Sequence, residues 1–214
     1  MVFNNVRLRH SRTSPLRGAS LEAGFTLIEL LVVTAILIVI SSLILVNNGR
    51  FGGVILLENL AYDLALSVRQ AQVYGISVRQ FGSGNFSVGY GMHFAISSPT
   101  TYVLFADAIS QNGLYDGCPS QASCELVESK NIERGYYISD LCVATGGGSE
   151  TCGISSLDIF FRRPEPDAHI SANGISGIGN PAALQARGRV ILSSPRGDSR
   201  SVVVEATGQI STQQ

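Results

Sequence analysis

The chain of 214 residues is short of charge. Only 14% of its residues are Asp, Glu, Lys or Arg, against about 25% in an ordinary soluble protein. Its formal net charge is −1, so the total points to no strongly acidic or basic partner. Site patterns are missing too. None of the four cysteines forms a Cys-x-x-Cys pair, and His10, His93 and His169 stand far from them in sequence. That spacing argues against zinc. There is no Gly-x-Ser-x-Gly elbow. Gly146–Gly148 carries no Lys-Ser/Thr after it and makes no phosphate loop. "RRPEPD" (Arg162–Asp167) reads as a turn rather than an acid–base pair. The chain has no internal repeat, no long low-complexity tract and no βαβ alternation, which excludes a doubly wound sheet. Proline is absent from Phe25 to Gln80.

The charge that is present is unevenly placed. Residues 1–24 hold Arg7, Arg9, Arg12 and Arg17 against Glu22, a net of +3, which leaves −4 for the remainder. Phe25 to Val46 follows, 22 residues with a single charge, Glu29. As a helix it spans about 33 Å, enough for a bilayer core. The arginines before it keep residues 1–24 in the cytoplasm and send the rest outward.

"NNGRFGG" (Asn47–Gly53) interrupts the apolar pattern, and its Gly and Asn predict a weakened or broken helix. Helical periodicity returns up to Gln80. Leu57, Leu60, Ala61, Leu64, Val68, Ala71 and Gly75 form one apolar stripe, with small residues that let a sheet approach closely. Beyond residue 80 the period changes to two. Strands are expected at Tyr90–Ile96, Thr101–Ala106, Tyr136–Val143, Leu157–Arg162, Arg189–Ser193 and Ser201–Ala206. "SSPT" and "SPRGDS" read as hairpin turns, and Ala144–Gly153 as a flexible surface loop. The fold class is α+β: a long N-terminal helix, half transmembrane and half amphipathic, packed on an antiparallel sheet domain over 81–214.

Cys118, Cys124, Cys142 and Cys152 all lie beyond the apolar run. An even count at close spacing favours disulfides. Three pairings exist. Cys118–Cys124 with Cys142–Cys152 is favoured, because each closes a short loop containing Ser, Gly or Pro.

A secretory signal would place small residues after its apolar core. Here Gly18, Ala19, Ala23 and Gly24 come before it. That order fits a cut on the cytoplasmic side, between Gly24 and Phe25, with the helix retained. "GFTLIELLVVTAILIVI" (Gly24–Ile40) resembles the class III leader junction of type IV pilins and type II secretion pseudopilins. Gly24, Phe25 and Glu29 match its −1, +1 and +5 positions. "NLAYDLALSVRQAQVYGISV" and "VVVEATGQI" look like the minor pseudopilins of the GspH/FimT family.

The resemblance implies that a prepilin peptidase removes the basic leader 1–24 and methylates the amine of Phe25. The mature chain would sit in the bacterial inner membrane as a single-pass protein. It would then join other pilins or pseudopilins in a helical fibre through an inner-membrane assembly platform. Such proteins catalyse nothing themselves. The chain departs from the family in its long leader and in lacking a helix-bending proline.

Cleavage would give Glu29 a partner, the new amine of Phe25, about one helical turn away on the same face. In a fibre core the same carboxylate can pair with a neighbour's amine. An unpaired charge there costs several kcal/mol, so Glu29 would act as a registry device.

Two other groups are candidates. Asp107, Asn112 and Asp116 could supply oxygen ligands to calcium, the one cofactor considered. Ile109 and Gln111 occupy key positions of the Asp-x-Asp-x-Asp-Gly loop, so a plain turn is preferred. Arg187, Arg189, Arg196 and Arg200 cluster across a predicted hairpin, with Arg162 and Arg163 as possible neighbours. A basic patch can bind phosphate backbone, and some FimT-like minor pilins bind DNA for uptake. No aromatics interleave with these arginines, and a solvated strand face is the preferred reading. A DNA-binding minor pilin is the first rival, and a membrane-tethered enzyme the second.

Overall fold

The computed structural model describes residues 24–82, 84, 86–120, 123–146 and 148–213, with the backbone alone for 47–51. Among the described residues, one long helix and ten strands make an α+β arrangement. Helix α1 is Leu27–Ile76. The chain divides into two compact units, Met1–Val46 and Asn47–Gln214.

In the first unit the described part is helical from Leu27. Leu27–Val46 has a mean hydropathy of 2.8 over 20 residues, and none of that stretch is buried. Among the described residues of this unit, none covers those side chains.

The second unit begins with helical backbone. The expected break at Asn47–Gly53 is not seen: α1 runs through it. Each Gly costs a helix only about 1 kcal/mol, and the long flanking turns propagate through such a penalty cooperatively. The helix ends at Ile76 rather than Gln80. Its sheet-facing stripe is as anticipated, with Leu57, Ala61, Leu64, Val68 and Ala71 all buried and Leu60 packed at the margin.

The strands are β1 (Tyr90–Ala95), β2 (Thr101–Ala106), β3 (Leu126–Asn131), β4 (Tyr137–Ala144), β5 (Glu150–Cys152), β6 (Ser156–Phe161), β7 (Ala168–Ala172), β8 (Arg187–Ser193), β9 (Ser199–Glu205) and β10 (Ile210–Gln213). They form two five-stranded sheets, ordered β3-β2-β1-β6-β7 and β10-β9-β8-β4-β5. Every pairing is antiparallel. Six strands stand where alternation placed them, within two residues at each end. The remaining four were not anticipated: β3, β5 and β10 lack a clear apolar alternation, and in β7 the alternation of Ala168, Ile170 and Ala172 with His169 and Ser171 is too short to stand out. β5 also corrects the reading of Ala144–Gly153 as a flexible loop throughout: its last residues pair with β4.

One core joins the three layers. The helix stripe meets Met92, Phe94 and Leu104 from β1 and β2, Leu157 and Ile159 from β6, and Leu141, Val190, Val202 and Val204 from the second sheet. Glycine sets the closest approach. A Cβ on Gly75 would stand 2.4 Å from the Phe161 carbonyl oxygen, so the helix can lie on β6 only with hydrogen there. Gln72, almost fully buried, locks the other contact. Its Nε2 donates to the carbonyls of Pro166 (2.9 Å) and Gly208 (3.1 Å).

Candidate functional site

The predicted processing junction lies at the start of α1. Gly24 and Phe25 are exposed and precede the helix. Thr26 begins it: its carbonyl accepts from Leu30 N–H (3.1 Å), and its Oγ1 accepts from Glu29 N–H (3.2 Å). Thr26 is therefore the N-cap, and Glu29 stands three residues on, at the spacing of a capping box. The role of Thr26 was missed from sequence, although Thr-x-x-Glu before an apolar run signals it. Glu29 lies in the first turn, where the helix dipole favours a negative charge. Among the described residues it has no ion-pair partner. The rest of the leader, including Arg7, Arg9, Arg12, Arg17 and Glu22, lies outside the described residues, as do Gly18, Ala19 and Ala23.

Both favoured disulfides are present, Cys118–Cys124 and Cys142–Cys152. Cys142 and Cys152 are direct partners across β4 and β5. Cys118–Cys124 closes a small loop immediately before Glu125.

Glu125 was not singled out from sequence, yet it organises the acidic turn. It is fully buried. Its Oε1 accepts from the backbone N–H of Ala108 (3.0 Å) and Ile109 (2.9 Å), and its Oε2 from that of Asp116 (2.8 Å). Asp107, 1% exposed, accepts from Gly113 N–H through Oδ2 (2.7 Å). Among the described residues its Oδ1 makes no well-formed hydrogen bond. Burial, with Glu125 and Asp116 nearby, pushes its pKa up to about 6 from 3.8, against the opposing hydrogen bond from Gly113.

The calcium candidates are engaged in holding the turn. Asn112 Oδ1 accepts from Leu114 N–H (2.8 Å), and Asp116 Oδ2 accepts from Ser110 (2.5 Å) and Asn112 (3.4 Å). Among the described residues, the one group of three potential ligands within metal-binding reach is Asp140, Cys142 and Cys152, whose sulfurs are already joined to each other.

The hairpin arginines do not make a common patch. Residues directly opposite on antiparallel strands share a face. Arg187 and Arg189 alternate on one face of β8, whereas Arg200 opposes Leu192 on the other. Arg187 Nε lies 2.7 Å from Glu205 Oε1, and Arg189 Nε lies 3.1 Å from Glu150 Oε1. The second N–H is not aimed along its contact, so that pair is an ion pair rather than a hydrogen bond. Arg163 is engaged elsewhere, donating to the Phe86 carbonyl.

Sequence spacing also hid a histidine–carboxylate pair. His93 and Asp158 oppose each other across β1 and β6, and His93 Nδ1 lies 2.7 Å from the buried Asp158 Oδ1. Asp158 also accepts from Tyr115 N–H (3.3 Å), so the pair anchors the loop above it. His93 borders an open cleft of about 840 Å³ that includes Ser97, Ser139, Asp140 and Ser155. Among the described residues, no hydrogen bond joins His93 to a serine. His169 is part-buried, which lowers its pKa, helped by Arg162 nearby.

No family model, curated protein or solved structure matches the chain.

Proposed function

We propose that this chain is a minor pseudopilin or minor type IV pilin of the GspH/FimT kind. It would be a structural subunit of a fibre serving protein secretion or pilus biogenesis. The observation that carries the reading is the junction: Gly24, Phe25 and Glu29 at the mouth of an exposed apolar helix. A helix-on-sheet unit with two disulfides beyond that helix is the kind of head such a subunit would carry.

In this reading a prepilin peptidase hydrolyses the bond after Gly24 and methylates the new amine of Phe25. Leu27–Val46 holds the subunit in the bacterial inner membrane, with the disulfide-bonded unit outside the cytoplasm. On extraction into the fibre, Glu29 pairs with its own terminus or a neighbour's. Methylation keeps the amine positive, so the pairing survives it. Ion pairing of Arg187 and Arg189 with Glu205 and Glu150 gives the DNA-binding alternative little support.

The test is co-assembly. Glu29→Ala should be cleaved like the wild type but should enter fibres of partner pilins poorly. Normal co-assembly of that variant would overturn the registry role.

A further inference from the structure

The sequence holds three Asn-Gly pairs, at 48–49, 112–113 and 173–174. In such a pair the backbone nitrogen of glycine can attack the side-chain carbonyl carbon of asparagine, because no Cβ obstructs it. Three events limit that attack. The nitrogen must lose its proton, the carbonyl oxygen must take up negative charge, and the side-chain nitrogen must leave as ammonia.

The pair at 112–113 has a group placed for each event. Asp107, buried just after β2, accepts from Gly113 N–H through Oδ2 (2.7 Å). Leu114 N–H donates to Asn112 Oδ1 (2.8 Å), closing a ring that contains both the carbonyl carbon and the Gly113 nitrogen. Asn112 Nδ2 donates to the exposed Asp116 carboxylate (3.4 Å), so the leaving nitrogen faces solvent. Ser176 Oγ donates to the Asn112 carbonyl and pins the backbone there. A Cβ at position 113 would press within 2.5 Å of Ile178 Cδ1, so packing keeps this residue glycine.

The other two pairs lack the base. Asn173 is exposed, in a left-handed turn with Gly174 (φ 55° and 70°). Its Oδ1 is drawn off to Ser155, accepting from the backbone N–H (2.8 Å) and the hydroxyl (3.0 Å). Among the described residues no carboxylate accepts from Gly174 N–H. Asn48 and Gly49 lie within the helical backbone of α1, where N–H groups are committed to carbonyls four residues back.

We propose that Asn112–Gly113 is a self-modification site with Asp107 as its general base. The Gly113 nitrogen bonds to Asn112 Cγ as its proton passes to Asp107, and Leu114 N–H steadies the negative oxygen. The Cγ–Nδ2 bond then breaks, and the nitrogen takes that proton through water and leaves as ammonia. A further water opens the five-membered imide to aspartate or isoaspartate at position 112. One water is consumed and one ammonia released, with no oxidation or reduction. The product carries a new carboxylate beside Asp107, Asp116 and Glu125, and like charges there loosen the turn. This holds whatever fibre or membrane the chain serves.

The test incubates the full chain in detergent micelles, and peptide mass spectrometry reads conversion at each pair over time. Part-buried Asn112 should convert faster than exposed Asn173, and faster than Asn112 in the urea-denatured chain. Asp107→Asn keeps an acceptor for Gly113 N–H but removes the base. It should slow conversion at Asn112 by about a hundredfold and leave Asn173 unchanged. The charged groups acting on Asp107 are Glu125 and Asp116, both acids. In the folded chain the rate should therefore rise with the ionisation of Asp107 near pH 6 and then level off. In the denatured chain it should keep rising with hydroxide. Conversion of Asn173 as fast as Asn112, or undiminished conversion of Asn112 in Asp107→Asn, would overturn the proposal. So would equal slowing at both sites, which would mark a general effect of stability, or a folded-chain rate that follows hydroxide throughout.

Discussion

Asp107 shows how a single buried carboxyl sets a pH response. Its pKa is about 6 in the folded chain and about 3.9 in an unfolded one. The folded state therefore holds this proton more tightly. Its contribution is fully present below about pH 4 and is lost as pH rises towards 6. Asp107→Asn keeps an acceptor for Gly113 N–H and removes the buried charge. The variant should match the wild type near pH 4 and exceed it in stability by about 2 kcal/mol at pH 7.5. Denaturant melts of the full chain at the two pH values check this. An equal difference at both would show that Asp107 does not titrate between them. Nothing in the sequence marked the residue as buried: "FADAISQNGLYDG" reads as a polar turn, and its burial depends on Glu125, which follows the Cys118–Cys124 loop.

At the scale of elements, α1 carries glycines with opposite roles. A Cβ on Gly75 would press within 2.4 Å of a backbone oxygen of β6, while one on Gly52 would meet nothing within 4 Å. Gly75→Ala should destabilise the second unit by about 3 kcal/mol or more, through overpacking that backbone cannot relieve. Gly52→Ala should stabilise by about 0.5–1 kcal/mol through helix propensity. Thermal melts of both variants check the contrast, and a shift of the same sign in both would contradict the packing of α1 on β6.

The Cys118–Cys124 bridge acts on a loop rather than the core. Its double Ser variant should lose about 2 kcal/mol, and limited proteolysis should cut first between residues 107 and 125. Unchanged protease resistance would show that Glu125 holds the loop without the bridge.

The helix stripe was legible because it buries one regular face, and six strands because each is a compact apolar or alternating run bounded by turn residues. β3 was not, since its side chains Leu126, Glu128, Ser129 and Asn131 are largely exposed at a sheet edge. β5 has three residues, and its order comes from pairing with β4 and from a disulfide that sequence can only nominate. At Asn47–Gly53, residue propensity pointed to a break while cooperative helix formation carried the backbone through.

For the whole molecule, the distribution of apolar surface is decisive. The second unit closes its own core from α1, two sheets and a latch at Gln72. The apolar side chains of Leu27–Val46 are left uncovered, and an exposed run of that length needs lipid or other protein around it. The sequence pointed to this division through one long apolar run followed by a change of period. It could not show that the arginines of β8 meet carboxylates: Glu205 faces Arg187 from β9, while Glu150 is distant in sequence and reaches Arg189 across the intervening β4.

The account stands on the bond after Gly24. The most direct test is mass spectrometry of the N-terminal peptide of the chain recovered from cells that contain a matching prepilin peptidase. The account predicts a peptide beginning with N-methylated Phe25 and retaining Leu27–Val46. A mature chain that keeps residues 1–24, or one that has lost the apolar helix, would contradict it.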